Sequence, residues 1–153
     1  MQKITPFLLM NGRVEEAVKF YTSVFKNAKV IEEMRSGADG PLLSVALELE
    51  GQRIILLNPG PETAFNMAVS FFITCETQAE VDELWDKLLE GGGAPIQCGW
   101  LKDKFGLHWQ VVPSAFGRMI GDKDPAKAQR AMQAMTQMVK LDIAALERAY
   151  NAA

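Results

Sequence analysis

An α+β fold of two β-α-β-β-β modules followed by a helical tail is predicted by three features of the sequence. Two amphipathic helices superpose by a shift of 64 residues, and the strand before each matches under the same shift. Each helix is also followed by strand-like runs that end in a hairpin. Residues 1–60 form the predicted first module, 66–113 the second and 114–153 the tail, as one structural domain overall. Asn58–Asn66, opening on Pro59-Gly60-Pro61, is the predicted linker.

The first helix is predicted over Arg13–Lys26, with Val14, Ala17, Val18, Tyr21 and Phe25 on one face. Glu15 and Glu16 favour its positive N-terminus. The second begins at Thr77, where Thr77-Gln78-Ala79-Glu80 reads as a capping box. Its buried stripe is Val81, Leu84, Trp85 and Leu88, and Gly91 supplies the stop. The same shift lays the strand Thr5–Met10 over Val69–Thr74 and Phe7 over Phe71. Further strands are expected at Lys29–Arg35, Leu42–Leu49 and Gln52–Asn58, the last two joined through Glu50-Gly51. After the second helix come Ala94–Ile96 and a hairpin of Gln97–Lys102 and Leu107–Val112 around the turn Asp103-Lys104-Phe105-Gly106.

In the tail, Asp124-Pro125 opens a helix at the position where the missing proline N–H costs nothing. Its apolar stripe is Ala128, Ala131, Met132, Met135, Met138 and Val139. Asp142 is placed to cap a last helix, Ile143–Asn151, that buries Ile143, Leu146 and Tyr150. Methionines on such a stripe read as core filler, so a covering helix or a dimer contact is the expected duty of the tail.

Apolar content of 48% and charged content of 23% are those of a soluble globular protein. A formal net charge of −3 with scattered Lys and Arg argues against a nucleic-acid partner. The apolar run ending at Met10 is too short for a membrane span and lacks a cleavage site. Cys75 and Cys98 form no CxxC, and a cytoplasmic protein with two reduced thiols is expected.

The segments EEAVKFYTSVF, DELWDKLLEGGG, CGWLKDKFGLHWQVVP and MTQMVKLDIAALERAY together resemble the PhnB-like group of the vicinal oxygen chelate superfamily. That group carries the label 3-demethylubiquinone-9 3-methyltransferase domain and is related in fold to glyoxalase and bleomycin-resistance proteins. The resemblance implies a glyoxalase-like fold in which two modules curl their sheets around a cleft, commonly completed by a second subunit. It also implies where metal ligands, usually His or Glu, stand in the metal-dependent relatives. The last-strand position falls on Gln110, four residues after Gly106. The other positions fall on Val69 or Ser70, on Thr5 or a neighbour, and on a residue between Leu56 and Asn58. A divalent metal wants imidazole, thiolate or carboxylate, so no catalytic metal is expected. No other cofactor is expected either. The Gly91-Gly92-Gly93 triplet leaves a helix, whereas an S-adenosylmethionine cradle of the common α/β class leaves a strand and enters one.

His108, the only histidine, is the candidate general base, and alternation puts it on the same strand face as Gln110. Alternation puts Trp109 on the opposite face, as core. Lys102 and Asp103 read as a salt-linked turn, and Cys98 as an inert thiol. Phe7 and Phe71 either wall the cavity or pack beneath the helices. The expected ligand-binding residues are Gln110, Trp100, Phe7, Phe71, Asn58 and Ser70. The predicted function is metal-free binding of a small organic ligand by a homodimer. One alternative is a metal-independent enzyme on a carbonyl or quinol-like substrate with His108 as base, and another is a dimeric scaffold with a filled cleft.

Overall fold

The computed structural model describes residues 2–152 and divides into two compact units, Met1–Ala64 and Phe65–Ala153. Among the described residues, no helix is long and apolar enough to cross a membrane.

The first unit runs β1 (Phe7–Leu9), α1 (Val14–Val24), β2 (Ala28–Arg35), β3 (Leu42–Leu49) and β4 (Gln52–Leu57). Its sheet has the order β1-β4-β3-β2, with β1 parallel to β4 and the other pairs antiparallel. One sheet face packs on α1. Leu8, Val45, Leu47, Leu49, Ile54 and Leu56 are buried there, with Val14, Ala17, Phe20, Tyr21 and Val24 from the helix. Each fully buried aliphatic side chain of this set contributes about 1.5–3 kcal/mol. Phe20 takes the buried place expected for Val18, which is only half-buried.

Helix α1 has no cap of its own, because Arg13 at its N-cap makes no side-chain cap bond. Asn58, just past β4, fills the gap from a distance. Its Oδ1 accepts from the Val14 N–H at 2.9 Å, and its Nδ2 donates to the Leu42 carbonyl at 3.0 Å. The β3–β4 turn puts Glu50 at φ 48° and Gly51 at φ 86°, the pair of left-handed residues that a two-residue hairpin needs. Strain at Glu50 is offset by its carboxylate, which accepts from the Asn27 backbone and side-chain N–H groups at 3.0 and 2.8 Å.

The second unit repeats the plan. It runs β5 (Ser70–Cys75), α2 (Gln78–Leu89), β6 (Ala94–Pro95), β7 (Trp100–Lys102) and β8 (His108–Pro113), in the order β5-β8-β7-β6. Thr77 caps α2 by accepting from the Glu80 N–H at 3.1 Å, and Glu80 reaches back to the Glu76 N–H at 2.7 Å. Val81, Leu84, Trp85 and Leu88 are buried, as the helical spacing predicts. Strand β7 starts at Trp100 rather than Gln97, because Cys98 at φ 65° and Gly99 at φ 82° break the extended run.

Asp103 departs from the sequence reading. It is not a surface residue but is 1% exposed, while Lys102 beside it is exposed. One carboxylate oxygen accepts from the Phe105 and Leu107 N–H groups at 2.9 and 3.1 Å. The other accepts from Trp109 Nε1–H at 2.9 Å. The carboxylate thus closes its own turn and pins the β8 indole, a double duty that spacing alone does not reveal.

Three helices follow: α3 (Ser114–Ile120), α4 (Pro125–Thr136) and α5 (Ile143–Asn151). Sequence periodicity misses α3, whose seven residues include Gly117 and span too few turns to set a pattern. It buries Phe116 and Met119 in a cluster with Val112, Ala131, Leu141 and Leu146. Helix α4 stops at Thr136, so Met138 and Val139 lie beyond it, and Met132 is exposed. Instead of packing as helix, Met138 and Val139 accept from the Cys98 and Gly99 N–H groups, both at 2.8 Å. A Cβ at Gly99 would lie 3.0 Å from the Leu141 side chain, a tight contact that glycine avoids. Gln78 completes the attachment, donating to the Leu141 carbonyl at 3.0 Å and accepting from the Ile143 N–H at 2.8 Å. Tyr150 Oη donates to Asp122. Arg130 donates to the carbonyls of Ala149 and Tyr150 at the end of α5.

Two outcomes are expected. Asp103→Ala strands the Trp109 indole N–H and two turn amides, and should cost about 3 kcal/mol, read as a lower urea midpoint at unchanged slope. Cys75 is fully buried, and desolvation, with Glu80 and Glu76 nearby, pushes its thiol up to about 12 from 9.0. A thiol reagent at pH 8 should therefore find the half-buried Cys98 in the native protein and both cysteines in urea. The raised Cys75 value sets a sign as well. Its stabilising contribution is fully present below pH 9 and declines as pH rises toward 12.

Candidate functional site

Cross-strand partners share a sheet face, so the pairings of the second sheet decide which side chains meet. Ser70 pairs with His108, Phe72 with Gln110, Trp100 with Gln110 and Lys102 with His108. Ser70, Phe72, Trp100, Lys102, His108 and Gln110 therefore lie on one face. The opposite face carries Phe71, Leu101, Trp109 and Val111 toward α2.

Within the first group, Gln110 Nε2 donates to Ser70 Oγ at 3.0 Å. Trp100 is half-buried and Phe72 is 59% exposed. His108 is only 8% exposed, and its Nδ1 is buried with no hydrogen-bond partner. A backbone or carboxylate partner expected for a strand histidine is thus lacking at that nitrogen. A buried polar atom left unsatisfied costs about 1–3 kcal/mol. Such an atom beside a hydroxyl, an amide and two aromatic surfaces is the strongest chemical signal in this unit. The face thus gathers a hydroxyl, an amide, an imidazole and two aromatic surfaces, the kinds of group that line small-molecule sites.

Of the residues singled out from sequence, His108, Gln110, Trp100 and Ser70 come together on this face. Phe71 does not. It lies on the helix side, edge-on to Trp109 with ring centroids 5.2 Å apart. Phe7 lies on the open face of the first sheet and is 56% exposed. The equivalent of Phe7 is Phe72, not Phe71, since both are exposed on faces turned away from their helices. Helices match at a shift of 64 residues but these strands at 65, because the turn from β1 into α1, through Asn11 and Gly12, is one residue longer. A one-residue slip inverts every side chain of a strand. Asn58 is engaged by α1 and Leu42, so its amide works inside the first unit. Asp103, read from sequence only as part of a turn, Gln78, read only within a capping box, and Arg53 hold positions that the sequence reading misses. An Asp opening a turn is a recognisable signal for the first, and no local pattern marks the other two.

The donor set on the second sheet does not fit a divalent metal. It offers one imidazole, while Gln110 and Ser70 are neutral and bonded to each other. Among the described residues, no three His, Cys, Asp or Glu side chains gather in one place. In the second unit, the strand-to-helix turn does not fit a nucleotide-type cofactor cradle either. Glu76-Thr77 joins β5 to α2, and the glycines Gly91 and Gly92, at φ 79° and 124°, follow the end of α2.

Comparison with known proteins agrees with this architecture. The family model described as 3-demethylubiquinone-9 3-methyltransferase matches residues 2–112. A putative 3-demethylubiquinone-9 3-methyltransferase, PhnB protein, from Bacillus cereus is 32% identical with a TM-score of 0.66. The match covers 73% of this chain and 99% of that one. Protein PA1353 from Pseudomonas aeruginosa is 19% identical with a TM-score of 0.63, over 74% of this chain and 98% of that one. A mutant of the fosfomycin resistance protein FosX from Listeria monocytogenes, solved with Mn(II) and 1S,2S-dihydroxypropylphosphonic acid, shares the fold at 14% identity and a TM-score of 0.54. That match covers 71% of this chain and 90% of FosX. No curated protein sequence matches significantly. With most of its length under one family model and a 32% identical relative covered almost end to end, the chain belongs to the PhnB-like 3-demethylubiquinone-9 3-methyltransferase family.

Proposed function

We propose that the protein binds a small organic molecule on the open face of its second sheet, without a catalytic metal. The observation that carries this reading is the buried, unpartnered Nδ1 of His108 beside the Gln110–Ser70 pair. A ligand polar group that reaches Nδ1 removes the cost of the orphaned nitrogen, so binding gains there what folding lost. Trp100 and Phe72 supply flat apolar surface for the rest of the ligand. Gln110 orients it, since an amide that already donates to Ser70 keeps its carbonyl oxygen for a ligand donor.

A second reading rests on the same nitrogen. A substrate with an acidic C–H beside a carbonyl, or a quinol-like hydroxyl, gives its proton to Nδ1 and receives it back at another atom. The net reaction is an isomerisation.

Two variants separate the readings once a ligand is found by thermal shift across a metabolite panel. If binding alone is the function, His108→Ala and Gln110→Ala should each weaken affinity about tenfold. If proton transfer is the function, His108→Ala should lose turnover while affinity is kept. No shift with any compound, in a protein whose folded state is confirmed, would remove both. Metal analysis of protein purified without chelator should find less than one bound divalent ion per chain, and a stoichiometric, tightly held ion would overturn the metal-free claim.

A further inference from the structure

The open face of the first sheet carries a cavity of about 230 Å³. Phe7, Met34, Ile55 and Leu57 line its apolar side, and Arg53 and Glu32 its charged side. Strand register explains why these side chains converge. Phe7, Ile55, Ala46 and Glu32 form one row across the sheet, and Leu57, Ser44 and Met34 form the next. Arg53 faces Glu48 in a third row, with Lys29 beyond it. A register shift between Val30 and Glu32 brings both Lys29 and Glu32 to this face, although residues three apart on a regular strand point to opposite faces.

Arg53 is the unusual member. Its Nε is buried and has no hydrogen-bond partner. Its Nη2 lies 3.8 Å from Glu32 Oε2, beyond hydrogen-bond length, and the Glu32 side chain is 65% exposed. The guanidinium is therefore held at an apolar wall by a carboxylate that only approaches it. Lys29, by contrast, has its own partner in Glu48 at 3.1 Å. A guanidinium edge made of Nε–H and one Nη–H matches the two oxygens of a planar carboxylate. The apolar rows beside it match a compact hydrocarbon body. The volume lies below the roughly 300–1,000 Å³ of drug-sized pockets, which limits that body to about one ring.

We propose that this cavity is a binding site for small apolar carboxylates, with Arg53 as the anchor and Glu32 as the internal carboxylate that the ligand displaces. Every residue that lines the cavity belongs to the first unit. Displacement is cheap, because an exposed ion pair of this length contributes little. The ligand's carboxylate gains the Nε–H that Glu32 leaves unused, and its ring covers Phe7 and Ile55.

The test uses the full ¹⁵N-labelled chain, phenylacetate, and phenylacetamide as its neutral counterpart. Phenylacetate should shift the Arg53 Nε–H resonance and the Ala46 and Ile55 amides saturably, with phenylacetamide at least about tenfold weaker. Glu32→Gln removes the competing carboxylate at an exposed position and should tighten phenylacetate binding about threefold or more. Arg53→Gln should abolish the difference between the two probes. Equal affinity for acid and amide, absence of saturable shifts, or a Glu32→Gln variant that binds phenylacetate no tighter overturns the proposal. Glu32→Gln decides the matter even where Arg53→Gln does not fold.

Discussion

Asp103 and Trp109 hold the second sheet to one parity. A carboxylate at 1% exposure, accepting from an indole and two turn amides, leaves the hairpin between β7 and β8 a single closed geometry. Hydrogen bonds to a charged group are worth about 1.5–3 kcal/mol, and their loss would leave buried donors stranded. With Trp109 drawn to the helix side, alternation sends His108 and Gln110 to the other face. Ser70 and Trp100 then meet them through the pairings of β5 and β7. The candidate site is thus a consequence of a structural carboxylate on the far side of the same strand. A one-residue slip of β8 would bury Gln110 and expose Trp109, and the fixed turn forbids it.

The repeat and the hairpin were legible in the sequence because each has a period. Helical stripes such as Val81, Leu84, Trp85 and Leu88 recur at 3.6 residues, and Gly106 at φ 86° marks a turn that only a few residue types make. What was not legible lacks a period. Asn58 caps a helix that begins 44 residues earlier, and Gln78 holds a tail more than 60 residues later. Polar contacts of that range leave no local trace. The Phe7–Phe71 overlay failed for a related reason, since matching helices hid one extra residue in a turn. Helix registers tolerate such an insertion, while strand parity does not. The site itself was half legible: parity placed His108 with Gln110, yet neither the orphaned Nδ1 nor the Ser70 bond follows from spacing.

Two sheets of one topology have come to carry different chemistry. On the open face of the first, Arg53 and Glu32 stand beside an apolar row. On that of the second, a hydroxyl, an amide, an imidazole and Lys102 stand with Trp100 and Phe72. The scaffold positions side chains by pairing and parity, and it is indifferent to what those side chains are. Family membership therefore fixes the places where chemistry can occur rather than the chemistry.

Gln110 illustrates the point at a single position. A carboxylate there would bring a full negative charge to the sheet face and demand a cation. An amide brings both a donor and an acceptor and is satisfied by a neutral neighbour, which Ser70 provides at 3.0 Å. To ligate a divalent ion, Gln110 would offer one uncharged oxygen, in a set whose other members are a hydroxyl and one imidazole. Nothing in that set neutralises two positive charges, so the ion would surrender most of its hydration for weak ligands. The same set suits an uncharged polar ligand well, because every group in it hydrogen-bonds without needing a countercharge. The amide at position 110 thus disfavours a divalent cation on this face and is compatible with the polar organic ligand proposed for it.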